Sequence, residues 1–160
     1  MLCYNRAMNQ DPSTIIAEYI NHHPLAVLST VTPEGEPLGT VLYAGSDEFL
    51  NVYFLTKTGT GKVHNIEKHP NVALTFSGED RQSTLQLSGT ALRVTAHDEN
   101  DRAFKVIASL KHDSQDFRLP IAKLDAGPYI VFRVDVAWAR LTEYEHTNQI
   151  DGVVRVEYTR

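Results

Sequence analysis

The segment from Leu55 to Lys62 (LTKTGTGK) holds the densest group of residues in the chain that are suited to binding an anion. It leaves a predicted strand, contains two glycines and three threonines, and leads into a short predicted helix over 61–69. The first amides of a helix lack acceptors and bind anions readily, and glycines let a ligand approach the backbone closely. Lys62 in the first helical turn opposes the helix dipole unless a bound anion reverses that interaction. The alternative is a solvated lysine on a Gly/Thr turn, which the composition of the loop alone favours.

Other catalytic signatures are missing from the sequence. The phosphate loop of nucleotide hydrolases needs a glycine five residues before its Gly-Lys pair and Ser or Thr after the lysine, but Thr56 and Val63 stand there. Asp98, Glu99 and Asp101 fall at a predicted helix start, where acidic residues favour the dipole and need no catalytic role. With no GxSxG elbow, HExxH helix or paired cysteines, we predict neither a serine triad nor a metal site.

Composition predicts one soluble globular domain over residues 1–160. Fifteen Lys and Arg are scattered among twenty Asp and Glu, for a net charge of -5, which argues against nucleic acid as the main partner. No apolar run approaches the roughly 20 residues needed to cross a bilayer, so we expect no membrane partner. The first ten residues lack the apolar core of a secretory signal and Cys3 is the only cysteine, so a cytoplasmic location is expected.

The remaining pattern is mostly strand. A first helix begins near Asp11, a suitable cap, with Pro12 at its first position, and a later helix covers 98–112. Rich β-branched and aromatic content predicts strands at 26–32, 37–44, 49–56, 71–77, 84–94 and 129–139, with continuation of the last through Leu141 left open. The fifth strand should bend at Gly89.

These elements favour a mainly β fold, a closed or nearly closed barrel of antiparallel hairpins with a few short helices. The connection PEGE at 33–36 contains Pro and Gly and indicates a hairpin turn between the first two strands. Strict βα alternation is missing, which disfavours a Rossmann-type parallel sheet.

The order of these pieces resembles the pyridoxamine 5'-phosphate oxidase-like family of FMN-binding split barrels. The supporting segments are GTVLYA at 39–44, YFLTKTGTGKVHNI at 53–66, HPNVALTF at 69–76 and TLQLSGTALRV at 84–94. Each segment alone is loosely defined, but their order and spacing together are specific. The resemblance spans residues 12–95. It makes an anion ligand, and no longer a solvated lysine, the favoured interpretation of Lys62.

The resemblance implies an antiparallel Greek-key barrel that forms a homodimer, with FMN at the subunit interface. The positions that line the flavin ring and ribityl chain correspond to Thr40, Val41, Leu42 and Tyr43. The positions that bind the phosphate correspond to Leu55, Thr56 and Lys62. Gly61 stands where the oxidases usually have an arginine, a loss for which Thr58 and Thr60 can compensate. Thr84 stands where the fifth strand of the partner subunit offers a glutamine, with Gln86 on the same face.

Two further residues keep alternatives open. Trp138, the only tryptophan, either contacts an edge of the isoalloxazine or packs in the barrel or the dimer interface, and its chemistry alone favours packing. His146, in the polar tail EYEHTNQIDG, is a haem ligand, a general acid or, by default, a solvated loop histidine.

The resemblance therefore implies an FMN-dependent oxidoreductase acting on a small organic substrate. The true oxidases carry an Arg-x-His motif near the end, whereas here Arg140 is followed by Leu141 and Thr142, so oxidation of pyridoxamine phosphate is not implied. The alternative is a flavin or tetrapyrrole (haem) carrier or sensor without turnover. Because the family also includes deazaflavin users and haem-degrading members, the sequence leaves FMN, deazaflavin and haem open as cofactors.

Overall fold

The computed structural model describes residues 10–78, 82–110, 128–147 and 150–160. Within them the chain forms three helices: α1 (Pro12–His22), α2 (Gly61–Lys68) and α3 (His97–Ala108). It also forms seven strands: β1 (Leu25–Val31), β2 (Pro37–Ser46), β3 (Asn51–Lys57), β4 (Asn71–Ser77), β5 (Ser83–Arg93), β6 (Tyr129–Thr147) and β7 (Ile150–Thr159).

Six antiparallel strands close into a barrel. Their order is β3-β2-β1-β4-β5-β6, and a further pairing between β3 and β6 closes the ring. Because β1, β2 and β3 follow one another as neighbours and β4 returns to lie beside β1, the topology is a Greek key. β7 extends the sheet beyond the barrel by pairing with the second half of β6. The predicted mainly β barrel is confirmed.

The barrel interior is filled by large side chains that alternate along the strands. Phe54 and Phe132 stack at its centre with ring centroids 5.4 Å apart, and both are buried. Helix α1 packs Ile16 and Ile20 against this core. Its start follows the sequence signals, since the Asp11 side chain accepts a hydrogen bond from the Ser13 amide and a proline opens the helix.

Helix α3 covers the outer side of β3 and β6 through a second apolar cluster that includes Tyr53, Ala103 and Ile107. The Tyr53 hydroxyl donates to Asp47, and burial together with that carboxylate raises the pKa of Tyr53 to about 12. Glu99 forms an ion pair with Arg133, which tethers the helix to β6. Glu99 therefore does more than favour the helix dipole, which was the only role predicted for it.

A β-bulge between β5 and β6 decides which way the end of β6 faces. The register shifts after Ser88, which lies opposite Trp138, so that Gly89 lies opposite Val136 and leaves Ala137 as the extra residue. One extra residue exchanges inward and outward side chains. Val136 and Ala139 are both buried as a result, and Trp138 is turned to the outside. The predicted bend at Gly89 is present as this bulge.

The C-terminal part of the chain differs most from the sequence analysis. β6 runs through Thr147, well beyond the predicted end, and β7 had not been predicted at all. The backbone of His146 lies in β6 opposite Asp151, so it is not in a loop. The last two residues predicted for the later helix, 111 and 112, lie outside the described residues.

Candidate cofactor site

A cleft opens between β2 and β3 because these two strands pair over only three residues each. Ala44–Ser46 of β2 pair with Val52–Phe54 of β3, after which the strands diverge. β3 continues along β6, while Pro37–Tyr43 of β2 pair with β1. Among the described strands, none pairs with Pro37–Leu42 of β2 on the edge away from β1. Backbone groups of these residues that face away from β1 are positioned to bind a ligand lying in the cleft.

The four β2 residues predicted to line a flavin lie along this open edge. Thr40 is opposite the buried Leu28, and Val41 is opposite the exposed Val27. Since paired residues share a face, Thr40 and Leu42 turn toward the barrel interior and Val41 and Tyr43 toward the outside. Val41 is 64% exposed, which is unusual for an apolar strand residue of this size.

The other wall of the cleft is the end of β3 and the loop leading into α2, where Leu55, Thr56, Thr60 and Lys62 come together. Lys62 Nζ donates to Thr56 Oγ1 at 3.3 Å, and the Thr56 and Thr60 hydroxyls are 3.4 Å apart. The Thr60 hydroxyl also donates to the carbonyl of Lys57. Three of the predicted phosphate-binding side chains are therefore linked by hydrogen bonds.

Glycine shapes this loop and leaves it open. Gly59 has a φ of +73°, a left-handed conformation that other residues adopt only with strain. A Cβ added to Gly61 would meet no atom within 4 Å. Thr58 fixes the loop from the other side, since its amide and its hydroxyl both donate to the Pro128 carbonyl, at 3.1 and 3.2 Å. The space in front of the helix start is therefore accessible to a ligand.

The electrostatics of the loop suit an anion. The carbonyl of Thr60 accepts from the amides of Val63 and His64, but no acceptor among the described residues takes the amides of Gly61 or Lys62. Half-burial lowers the pKa of Lys62, and no described carboxylate pairs with its ammonium. A half-buried cation without a counter-ion, beside unpaired amides, favours a negatively charged ligand. The donor set thus fits the phosphate of a flavin nucleotide.

Asn65 holds this arrangement in place and was not identified from the sequence. It is buried on α2, and its Nδ2 donates to Thr30 Oγ1 at 3.0 Å, while that hydroxyl donates to the carbonyl of Leu38 at 3.4 Å. These bonds fix α2 against β1 and β2, and so fix Lys62 beside the cleft. The available signal was an amide side chain between Val63 and Ile66 on the inward face of a short helix.

Thr84 and Trp138 lie elsewhere on the barrel. Thr84 is opposite Thr142, Gln86 opposite Arg140 and Ser88 opposite Trp138, all on the outer face of β5 and β6. Thr56 of β3 is opposite Ile130 of β6, and Trp138 lies about 23 Å farther along that strand, at ~3.3 Å per residue and with the bulge residue left out. Thr142, the residue opposite Thr84, lies farther along still. One chain therefore brings the β2, β3 and α2 residues together but not these two.

A Greek-key barrel with a cleft between diverging strands has the architecture of a split barrel. The family model for pyridoxamine 5'-phosphate oxidase matches residues 14–143. The chain belongs to the pyridoxamine 5'-phosphate oxidase family, as the resemblance predicted.

Relatives support this assignment at different levels. The pyridoxine/pyridoxamine 5'-phosphate oxidase of Rubrobacter xylanophilus is 40% identical over 79 residues, which is 49% of this chain and 36% of that relative, so the match spans about a third of its length. The fold is similar to that of a pyridoxamine 5'-phosphate oxidase-related, FMN-binding protein from Nostoc punctiforme, with a TM-score of 0.59, 16% identity, and coverage of 96% of this chain and 100% of the other. It is also similar to a heme-binding protein from Mycobacterium smegmatis, with a TM-score of 0.66, 14% identity, and coverage of 91% and 58%. At such identities the two structures show the fold alone.

The described residues contain no group of three or more His, Cys, Asp or Glu side chains placed to hold a metal ion. Likewise, none of the helices in the described part of the chain is long and apolar enough to cross a membrane.

Proposed function

We propose that this protein is an FMN-dependent oxidoreductase acting on a small organic substrate. The observation that carries the proposal is the half-buried Lys62, which has no carboxylate partner among the described residues and stands at the start of α2 beside the open edge of β2. Family membership supports FMN, as does the FMN-binding protein of similar fold from Nostoc punctiforme. Genuine pyridoxamine phosphate oxidation is not proposed, because the Arg-x-His motif is missing.

In this proposal the residues of the chain bind and orient the cofactor. Lys62 and Thr56 hold the phosphate, and the amides of Gly61 and Lys62 supply further donors. Thr60 would join them by rotating its hydroxyl away from the Lys57 carbonyl. Thr40 to Tyr43 lie along the ribityl chain and ring, where backbone groups of the open edge accept and donate hydrogen bonds. Bound FMN supplies the capacity for electron transfer, so the protein contributes binding, orientation and electrostatics.

We further propose that the protein is a homodimer in which each cofactor contacts both subunits. Trp138 lies about 23 Å along β6 from the residue opposite Thr56, and Thr84 is opposite a residue farther along, so a cofactor whose phosphate lies at Thr56 is too short to reach either of them in the same chain. The outer face of β1 and β2 exposes Leu25, Val27 and Val41, and a depression of about 380 Å³ beside them is lined by small residues such as Ser29 and Ala73. A second copy on this face would bring its β5 and β6 to the cleft. Sedimentation of the FMN-loaded protein should give a dimer, and an FMN-saturated monomer at micromolar concentration would contradict the shared site.

Turnover distinguishes an enzyme from the alternative, a non-catalytic flavin or haem carrier or sensor. The FMN-loaded protein is reduced anaerobically with NADH or NADPH, and a quinone or nitroaromatic acceptor is then added in excess. We expect the oxidised flavin absorption to return and the nicotinamide to be consumed over many cycles. A reduced flavin that persists with every acceptor would support a carrier. A haem spectrum in the purified protein, without flavin uptake, would support the tetrapyrrole alternative.

A further inference from the structure

Arg140 stands in the middle of the β6 surface proposed to face the flavin of the other subunit. On the outer face of β6 it lies between Trp138 and Thr142, directly opposite Gln86 of β5. Thr142 is in turn opposite Thr84. A ligand that contacts both Thr84 and Trp138 must therefore pass over the Gln86–Arg140 pair. The bulge after Ser88 is what turns this arginine outward.

Two contacts hold the Arg140 guanidinium in a defined position. Its Cζ lies 5.2 Å from the centroid of the Trp138 ring, and its Nε donates to Glu157 Oε1 of β7 at 2.8 Å. The Arg140 and Glu157 side chains are 41% and 53% exposed, so the ion pair contributes little to folding stability. The Nη groups have no further partner among the described residues. An arginine presented in this way is preorganised to donate to a planar acceptor.

We infer that Arg140 is a cofactor-tuning residue that stabilises the reduced, anionic form of the flavin; this inference rests on the proposed function. A hydride donor such as reduced nicotinamide transfers two electrons and one proton to flavin N5, and the nicotinamide is oxidised. The accepted charge is delocalised over flavin N1 and the C2 carbonyl oxygen. If that edge of the flavin lay over the Gln86–Arg140 pair, the Arg140 guanidinium would favour the anion electrostatically and by charge-assisted hydrogen bonds. Glu157 opposes this effect by partly neutralising the cation, and at the same time orients it.

The test is the ratio of the affinities for reduced and oxidised FMN, measured as a midpoint potential. Arg140→Gln should reduce the preference for reduced FMN about tenfold, equivalent to a potential about 30 mV lower for a two-electron couple. Arg140→Lys retains the positive charge, so its midpoint potential should stay close to that of the wild-type protein. Glu157→Gln should move the potential in the opposite direction. Damage to the fold would shift the midpoint potentials of Arg140→Gln and Glu157→Gln in the same direction. Shifts in opposite directions therefore identify an electrostatic role.

The matched control is Lys105→Gln, which removes an exposed cation from α3 and should leave the potential unchanged. A wild-type potential in Arg140→Gln, in protein that binds FMN normally, would overturn the inference and leave the proposed function intact. An equal shift in Lys105→Gln would overturn it as well, since the effect would then be one of net charge. If the wild-type protein takes up no FMN, both proposals are wrong. Should Arg140→Gln not fold, Glu157→Gln alone decides, and an unchanged or lowered potential in that variant overturns the inference.

Discussion

Replacing Lys62 with alanine should weaken FMN binding by about 1.5–3 kcal/mol, or roughly tenfold to 150-fold in Kd. Lys62 is a half-buried cation with no described carboxylate partner, placed beside Thr56 and the unpaired amides at the start of α2. Removing it leaves the phosphate with hydroxyl and amide donors but without the cation that lies beside Thr56. Fluorescence titration of FMN against wild type and variant measures the difference.

Riboflavin and Lys57 provide the controls for this result. Riboflavin has the same ring and lacks the phosphate, so its affinity should change little in Lys62→Ala. Lys57→Ala removes an exposed cation at the end of β3, on the opposite face of the strand from Thr56, and should leave FMN binding close to wild type. Equal losses for FMN and riboflavin would show that the substitution damages the fold, and an unchanged FMN affinity would refute the phosphate site.

Gly89→Ala should be the most destabilising small substitution in the sheet. A Cβ at this position would overlap the carbonyl oxygen of Asp135 and lie 2.9 Å from its carbonyl carbon and 3.0 Å from the Cα of Val136. These are backbone atoms of the neighbouring strand and cannot rotate away. We expect the free energy of unfolding to fall by about 3 kcal/mol or more, the upper range for overpacking. Urea denaturation of the protein without cofactor measures it.

Gly61→Ala is the matched comparison, because a Cβ there meets nothing within 4 Å and the backbone is not in the left-handed region. Its free energy of unfolding should stay within about 0.5 kcal/mol of wild type. Gly89→Ala should also disturb flavin binding, since the bulge turns Trp138 and Arg140 outward. Two variants of equal stability would contradict the role assigned to the bulge.

Local signals in the sequence were sufficient for much of the barrel. The β4 prediction over 71–77 has the same bounds in the structure, and α1 begins at its predicted Asp11 cap and Pro12. β7 was missed because its first part lies in a polar stretch that is typical of loops. Its second half does show the alternation of a strand, with Val156 and Tyr158 packed against the core and exposed charged residues between and before them.

The sequence allowed the residues of the candidate site to be predicted, but it did not allow their spatial arrangement to be predicted. The family resemblance pointed to Lys62 as an anion ligand, whereas the composition of the loop alone favoured a solvated lysine. The cleft arises because β3 pairs with β6 instead of following β2, which is a tertiary choice. The outward direction of Trp138 depends on a bulge in β6 opposite Gly89, and local periodicity along β6 would have turned that ring inward. Asn65 was missed because its role requires Thr30, 35 residues away.

Flavin uptake tests the central claim most directly. When apo-protein is titrated into FMN and flavin fluorescence is followed, we predict saturable quenching with one FMN per chain and much weaker binding of riboflavin. A titration in which FMN fluorescence does not change, or in which riboflavin binds as tightly as FMN, would contradict a phosphate-anchored flavin in the cleft between β2 and β3.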